Sequence, residues 1–127
     1  HNISHALGSL VRVHHGLATG LALEVTLPWL TSRLEGAENY AAAAQAMGGE
    51  ARPEALPAAL SGLMRACQIP AELPSCCAGV TPAALVAEMK NAANIGMAQN
   101  AACHIDEADL NEMATMMMRL PVAEVAS

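Results

Sequence analysis

Aromatic residues are nearly absent from this sequence, which has one Trp, one Tyr and no Phe in 127 residues. Strands are enriched in aromatic and β-branched side chains, so this shortage disfavours a β-sandwich. Hydrophobic residues nevertheless make up 54% of the chain, mainly as Ala, Leu, Val and Met. Ala, Leu and Met are good helix formers. The composition therefore predicts a single all-α domain, residues 1–127, with a modest core.

Basic residues are scarce as well, since six Lys and Arg stand against twelve Asp and Glu. Without a basic cluster or an aromatic stacking platform, nucleic-acid binding has little support. A membrane-spanning helix needs about 18 or more uncharged apolar residues. The nearest candidate, 17–30, is interrupted by Glu24 and Pro28. With no basic segment or signal peptide at its start, the sequence indicates a cytoplasmic protein with no nucleic-acid or membrane partner.

The four cysteines also lack a pattern that would indicate a metal site. None of Cys67, Cys76, Cys77 and Cys103 forms a Cys-x2-Cys pair. This favours buried, reduced thiols in a cytosolic protein over a zinc site.

Apolar periodicity and helix-end signals predict a bundle of five to seven helices. Thr81 and Asp106 are expected to cap two of them, and Pro28 to mark a helix boundary. The segments 69–79 and 94–103 are predicted to be loops. The predicted helices cover 3–13, 15–24 or beyond, 38–47, 53–67 and 82–93, and a last one begins at Asp106. Gly8 and Arg12 favour an early end or bend of the first helix, and Pro57 is an alternative start of the fourth.

Three histidines, His1, His5 and His15, lie within the first sixteen residues. Positions four apart share a helix face, so His1 and His5 can point into the same cavity. His15-Gly16 begins the next apolar run and can return a third imidazole to them. Neutral imidazole is the commonest protein ligand for first-row divalent metals, so this stretch is a candidate metal site.

The spacing of these residues resembles that of a known family. Residues 1–18 read His-x3-His-x2-Gly-x6-His-Gly-x-Ala, and Leu-Pro follows at 27–28. This is similar to the signature in the C-terminal helical domain of the iron-containing (group III, metal-dependent) alcohol dehydrogenases. The resemblance implies the helical half of the dehydroquinate synthase-like fold.

The resemblance also implies roles for individual residues. His1 and His15 would bind Fe²⁺ or Zn²⁺, and His5 would lie between the metal and the nicotinamide and relay a proton. An Asp-x3-His motif should supply the other two ligands upstream of His1. A separate N-terminal nucleotide-binding domain should bind NAD or NADP. Neither occurs in this chain, so the sequence is interpreted as the C-terminal fragment of such an enzyme.

The sequence departs from the family pattern in one loop. Asn100-Ala101-Ala102 stands where the family usually has Asn-Pro-Arg, which leaves the substrate class open. Some relatives, such as the maleylacetate reductases, work without metal, but the retained His15-Gly16 favours metal dependence. His14 and His104 match no functional position of the family.

The expected function is metal-assisted hydride transfer between an alcohol and an aldehyde or ketone by the full enzyme. The alternative is a stand-alone helical metal-binding or oligomerisation module without catalysis, and a third possibility is a scaffold whose histidines have no role. A run of methionines, Met113 and 116–118, is either core filler or a docking face for a second subunit or the missing domain.

Overall fold

The computed structural model describes residues 1–125, which form seven α-helices and no β-strand. This confirms the all-α class and the predicted number of helices. Two short 3-10 helices, Pro53–Ala55 and Ser75–Cys77, lie between them. The α-helices are α1 (Asn2–Leu10), α2 (His15–Thr31), α3 (Ala37–Ala46), α4 (Leu56–Ala66), α5 (Pro82–Met89), α6 (Ile95–Ala98) and α7 (Glu107–Met118).

Helix α2 is the central element of the bundle. It packs against α1, α4 and α7, and its sequence is apolar around most of its circumference, as expected for a buried helix. Its first turns join a large core shared with α1, α5 and α7, through Leu21 among others. Its C-terminal part, at Leu27, joins a smaller core with Ala44 of α3 and Leu56 of α4. None of the helices in the described range is long and apolar enough to cross a membrane.

The side chain of Asn2 fixes the N-terminal end of α1 against the rest of the bundle. Its Nδ2 donates to the backbone oxygens of Met89, at 3.0 Å, and Asn94, at 2.8 Å. A flipped amide would place its oxygen against these two acceptors, so the orientation is determined. Because His1 precedes Asn2 directly, these bonds also set where His1 lies.

Both predicted helix caps are confirmed. The Thr81 side chain accepts from the backbone N–H of Ala84, and Pro82 occupies the first helical position. Asp106 and Asp109 form a reciprocal capping box at the start of α7. These side chains satisfy N–H groups that have no partner inside the helix.

The prediction that Pro28 ends a helix was wrong, because α2 continues through it to Thr31. A proline removes one backbone hydrogen bond, here the one to the carbonyl of Glu24. The last turn is held instead by the burial of Leu27 and Trp29. In addition, the Thr31 hydroxyl donates to the carbonyl of Leu27 at 2.9 Å. Tertiary packing therefore outweighs the local cost of the proline.

The segment 94–103 was predicted to be a loop, but one helical turn, α6, lies inside it. The segment begins at a buried polar residue, Asn94, whose Nδ2 donates to the carbonyl of Glu88 at 2.9 Å. Ile95 and Ala98 then pack against the large core. Helix α5 ends earlier than predicted, at Met89, and α1 ends at Leu10, which agrees with the early end that Gly8 and Arg12 indicated.

The methionine run is mostly core. Met113 and Met117 are buried, and Met116 and Met118 pack half-buried against the same large core. The three consecutive methionines therefore contact the interior of this chain rather than form a separate exposed face.

Candidate functional site

The three histidines singled out in the sequence converge where α1 meets α2. The ring centroids of His5 and His15 are 4.9 Å apart, those of His1 and His15 5.9 Å, and those of His1 and His5 6.2 Å. All three residues are exposed. The structure thus brings together side chains from the start of α1, its first turn and the first residue of α2.

His14 shapes the turn that returns His15 to the cluster. Its Nδ1 accepts from the backbone N–H of Leu17 at 3.4 Å, which makes it the N-cap of α2. A Cβ on Gly16 would lie 3.2 Å from Cε1 of the His14 ring, so glycine leaves room for this arrangement. Sequence reasoning missed this role because histidine is not among the preferred N-cap residues.

The spacing of the imidazoles fits part of a metal site. Rings bound to one ion through bonds of about 2.1 Å place their centroids roughly 5 Å apart. His5 and His15 already lie at 4.9 Å, whereas the exposed ring of His1 would have to rotate inwards. Within residues 1–125, no group of three or more His, Cys, Asp or Glu side chains is arranged to hold a metal ion. Within that range, the cluster therefore places His5 and His15 at the spacing of two ligands of one ion, without a complete ligand set.

A cavity of about 290 Å³ adjoins the histidine cluster. His1 lines it directly, and so does Thr19, whose Oγ1 lies 3.4 Å from Nε2 of His15. Most of the remaining wall is apolar and comes from α2, α6, α7 and the loop after α6. A ligand in this cavity would contact His1, with Thr19 between it and His15.

The face of α1 that carries His1 and His5 is open at Gly8. Gly8 lies inside helix α1, which continues to Leu10, and a Cβ at Gly8 would meet no atom within 4 Å. Positions 1, 5 and 8 lie on one side of a helix, so the space beside His5 is accessible to another domain or molecule.

The cysteines and His104 lie elsewhere. All four cysteines are free thiols. Cys103 and His104 line a second cavity of about 340 Å³, whose wall includes none of the three clustered histidines. Burial, together with the neighbouring Cys76, raises the pKa of Cys77 to about 11. A thiol with such a pKa is a poor nucleophile and metal ligand at neutral pH.

Comparison of the chain with protein-family models, curated proteins and solved structures finds no match. Function is therefore inferred from the histidine cluster and the cavity beside it.

Proposed function

We propose that this chain is the helical metal-binding domain of an NAD(P)-dependent alcohol dehydrogenase. The proposal is carried by the convergence of His1, His5 and His15 beside a cavity that His1 lines. It is further supported by the spacing of residues 1–18, which resembles the signature of the iron-containing alcohol dehydrogenases. In that fold the chain would be the helical half, and the full enzyme would interconvert an alcohol and an aldehyde or ketone.

Each histidine has a distinct role in this proposal. His1 and His15 would hold Fe²⁺ or Zn²⁺, for which neutral imidazole is a suitable ligand. A bound ion would supply Lewis acidity to the substrate oxygen and to negative charge that develops on it. His5 exchanges the hydroxyl proton of the substrate with solvent through a ring nitrogen, because its exposed ring lies beside His15 and near the open surface at Gly8. Histidine suits this work because its ordinary pKa is near neutrality.

The remaining parts of the proposed enzyme come from outside the described residues. The two further metal ligands and the nicotinamide would be supplied by a nucleotide-binding domain. The exposed face of α1 at Gly8 leaves space for it to approach His5. The incomplete ligand set within residues 1–125 accords with a site shared between two domains.

Cobalt titration of the 127-residue chain tests the metal site, since Co²⁺ accepts the same ligands and has visible absorption bands. We expect saturable 1:1 binding that is lost in His1→Ala and His15→Ala. His104→Ala is the matched control, because His104 is exposed and lies outside the cluster. Equal binding by all four proteins would contradict the proposal, and so would the absence of saturable binding.

The same exposed, incomplete cluster also fits a non-catalytic module in which two copies of the chain complete one site. Light scattering after size exclusion separates the two functions. Metal-dependent dimers that disappear in His15→Ala would favour the oligomerisation module. Weak Co²⁺ binding by a monomer would instead support the proposal that the chain is a domain of a larger enzyme.

A further inference from the structure

The lining and dimensions of the cavity beside the histidines indicate what kind of ligand it can hold. We infer that it takes the unbranched alkyl chain of a primary aliphatic alcohol or aldehyde, of about six to ten carbons, with the oxygen at the histidine end. The inference that this ligand is the substrate rests on the proposed function. The inference that the cavity binds an alkyl chain does not rest on it, and this binding can be measured without metal.

The wall of the cavity favours an uncharged, apolar occupant. Within residues 1–125, no Asp, Glu, Lys or Arg lines it, and the apolar part includes Ile3, Leu30, Met97 and Met113. Thr26 also lines the cavity, and its hydroxyl donates to the carbonyl of Ala22 at 2.8 Å. Because a buried polar group without a partner is costly, this wall disfavours polyols, carboxylates and phosphate esters.

The shape of the cavity favours an extended chain. Thr19, Leu23, Thr26 and Leu30 of α2 all contribute to the wall. These positions recur every three or four residues on one helix face, and at 1.5 Å per residue they span about 16 Å. The volume of about 290 Å³ is roughly that of ten small groups of about 30 Å³, the volume of a water molecule in the liquid. A linear chain of medium length fits both dimensions.

Within the described range, five polar residues line the cavity: His1, Asn2, Thr19, Thr26 and Asn100. His1 belongs to the histidine cluster and Thr19 contacts His15, so two of the five lie beside the imidazoles. Asn2 also belongs to the wall and is 7% exposed, and its Oδ1 has no hydrogen-bond partner within residues 1–125. Since its Nδ2 is engaged by two carbonyls, a flip of the amide cannot satisfy this oxygen. The oxygen is buried beneath the wall, so a ligand would reach it only after a shift of the side chain. A substrate hydroxyl would therefore lie beside His1 and Thr19, while the alkyl chain extends along α2 towards Leu30.

The test is a titration of metal-free protein, ¹³C-labelled at the methionine methyl groups, with 1-butanol, 1-hexanol and 1-octanol. We expect the methyl signals of Met89, Met97 and Met113 to shift saturably, because these residues line the cavity. Met47 and Met64, outside it, serve as internal controls. Affinity should rise about fourfold for each added methylene until the cavity is full. The diol 1,6-hexanediol should bind several-fold more weakly than 1-hexanol, because its second hydroxyl would lie against apolar wall.

A substitution in the cavity wall provides a second test of alkyl-chain binding. Ala101→Leu fills part of it, so binding of 1-octanol should weaken much more than binding of 1-butanol. Ala42→Leu, at an exposed position of α3, should leave the whole series unchanged. If Ala101→Leu fails to fold, the titrations of the wild-type protein with alcohols of different chain length are sufficient to test the inference.

Three results would overturn the inference: affinity independent of chain length, equal shifts at all eight methionines, or equal affinity for 1-hexanol and 1,6-hexanediol. Failure here with successful cobalt binding would reject the substrate class and leave the proposed function standing. Chain-length-dependent binding without cobalt binding would reject the dehydrogenase function and retain the alkyl site.

Discussion

The imidazoles of His5 and His15 meet edge to face, with centroids 4.9 Å apart and planes inclined by 74°. This is the closest pair in the cluster, yet the resemblance assigns the metal to His1 and His15. An imidazole held this close to a ligand can serve either as a further ligand or as a proton carrier beside the metal. A ligand is required for full metal affinity, whereas a proton carrier is not, so metal binding distinguishes the two roles.

We predict that His5→Ala retains the Co²⁺ affinity of the wild type, whereas His15→Ala loses at least about tenfold. Even partners that only support a metal ligand are typically worth 10- to 100-fold in affinity. Cobalt absorption titrations at a single pH measure both variants, and His104→Ala again provides the control. If His5→Ala binds as poorly as His15→Ala, His5 is a third ligand and the proposed proton transfer must involve another group.

The 127-residue chain by itself is predicted to be catalytically inactive. It contains no Asp-x3-His motif and no glycine-rich turn between a strand and a helix at which a dinucleotide phosphate could bind. The measurement is absorbance at the reduced-nicotinamide band, with NAD⁺ or NADP⁺, Fe²⁺ or Zn²⁺, and 1-octanol. Alcohol-dependent reduction above the rate of a His15→Ala control would show that the chain needs no further domain.

Local signals in the sequence were sufficient for the starts of α5 and α7 and for the return of His15 to the cluster. A capping Thr followed by Pro at 81–82 and a capping box at 106–109 act within one turn, so they can be read without knowing the fold. The His1–His5 relation likewise follows from helix periodicity. The prediction that His15 lies near His1 and His5 rested on the short connection between the first two apolar helices.

Long-range packing accounts for what the sequence did not predict. The continuation of α2 through Pro28 depends on the burial of Trp29 in the large core and of Leu27 in the smaller one. The short helix α6 depends on contacts of Ile95 with residues far along the chain. The cavity itself has no sequence signature, because its wall is assembled from separate helices and a loop.

Leu85 is predicted to be essential for stability. It is 0% exposed in the large core, where α5 packs against α1 and α7. Leu85→Ala should lower the free energy of unfolding by about 3 kcal/mol, the usual cost of a buried leucine-to-alanine cavity. Leu63→Ala on α4 is the matched control: Leu63 is 53% exposed, so the change should stay within about 0.5 kcal/mol. Urea unfolding followed by Trp29 fluorescence measures both, and similar losses would contradict the packing.

Asp106 makes the stability of α7 dependent on pH in acid. Hydrogen bonds from the backbone of Asp109 lower the pKa of the Asp106 carboxyl below its ordinary value of 3.8. The folded state therefore favours the carboxylate, and this stabilisation is present above pH 4 and lost as the pH falls through the lowered pKa.

Asp106→Asn keeps a capping side chain but removes the titrating group. The difference in melting temperature between wild type and Asp106→Asn should therefore shrink as the pH falls below 4. Glu124→Gln, at an exposed position outside the helices, is a control that should show no such change. A difference between wild type and Asp106→Asn that is constant from pH 6 to pH 3 would contradict the role of the charge.

The adjacent thiols of Cys76 and Cys77 should differ sharply in reactivity. Cys76 is exposed and Cys77 is buried, and burial, followed by the effects of Cys76, raises the pKa of Cys77 to about 11. Because the thiolate is the reactive form, iodoacetamide at pH 8 should modify Cys67 and Cys76 in the folded protein and spare Cys77.

Peptide mapping by mass spectrometry measures the labelling site by site, and unfolding in guanidinium should expose all four cysteines equally. Labelling of Cys77 at the rate of Cys67 in the folded protein at pH 8 would show that the 3-10 helix Ser75–Cys77 does not shield it.

The raised pKa of Cys77 also makes the stability of the fold depend on pH. The folded state favours the neutral thiol of Cys77, so the stability gained from that preference is complete below the ordinary thiol pKa near 9. It is lost as the pH rises towards 11. A Cys77→Ala variant should accordingly lose less stability than wild type over this range.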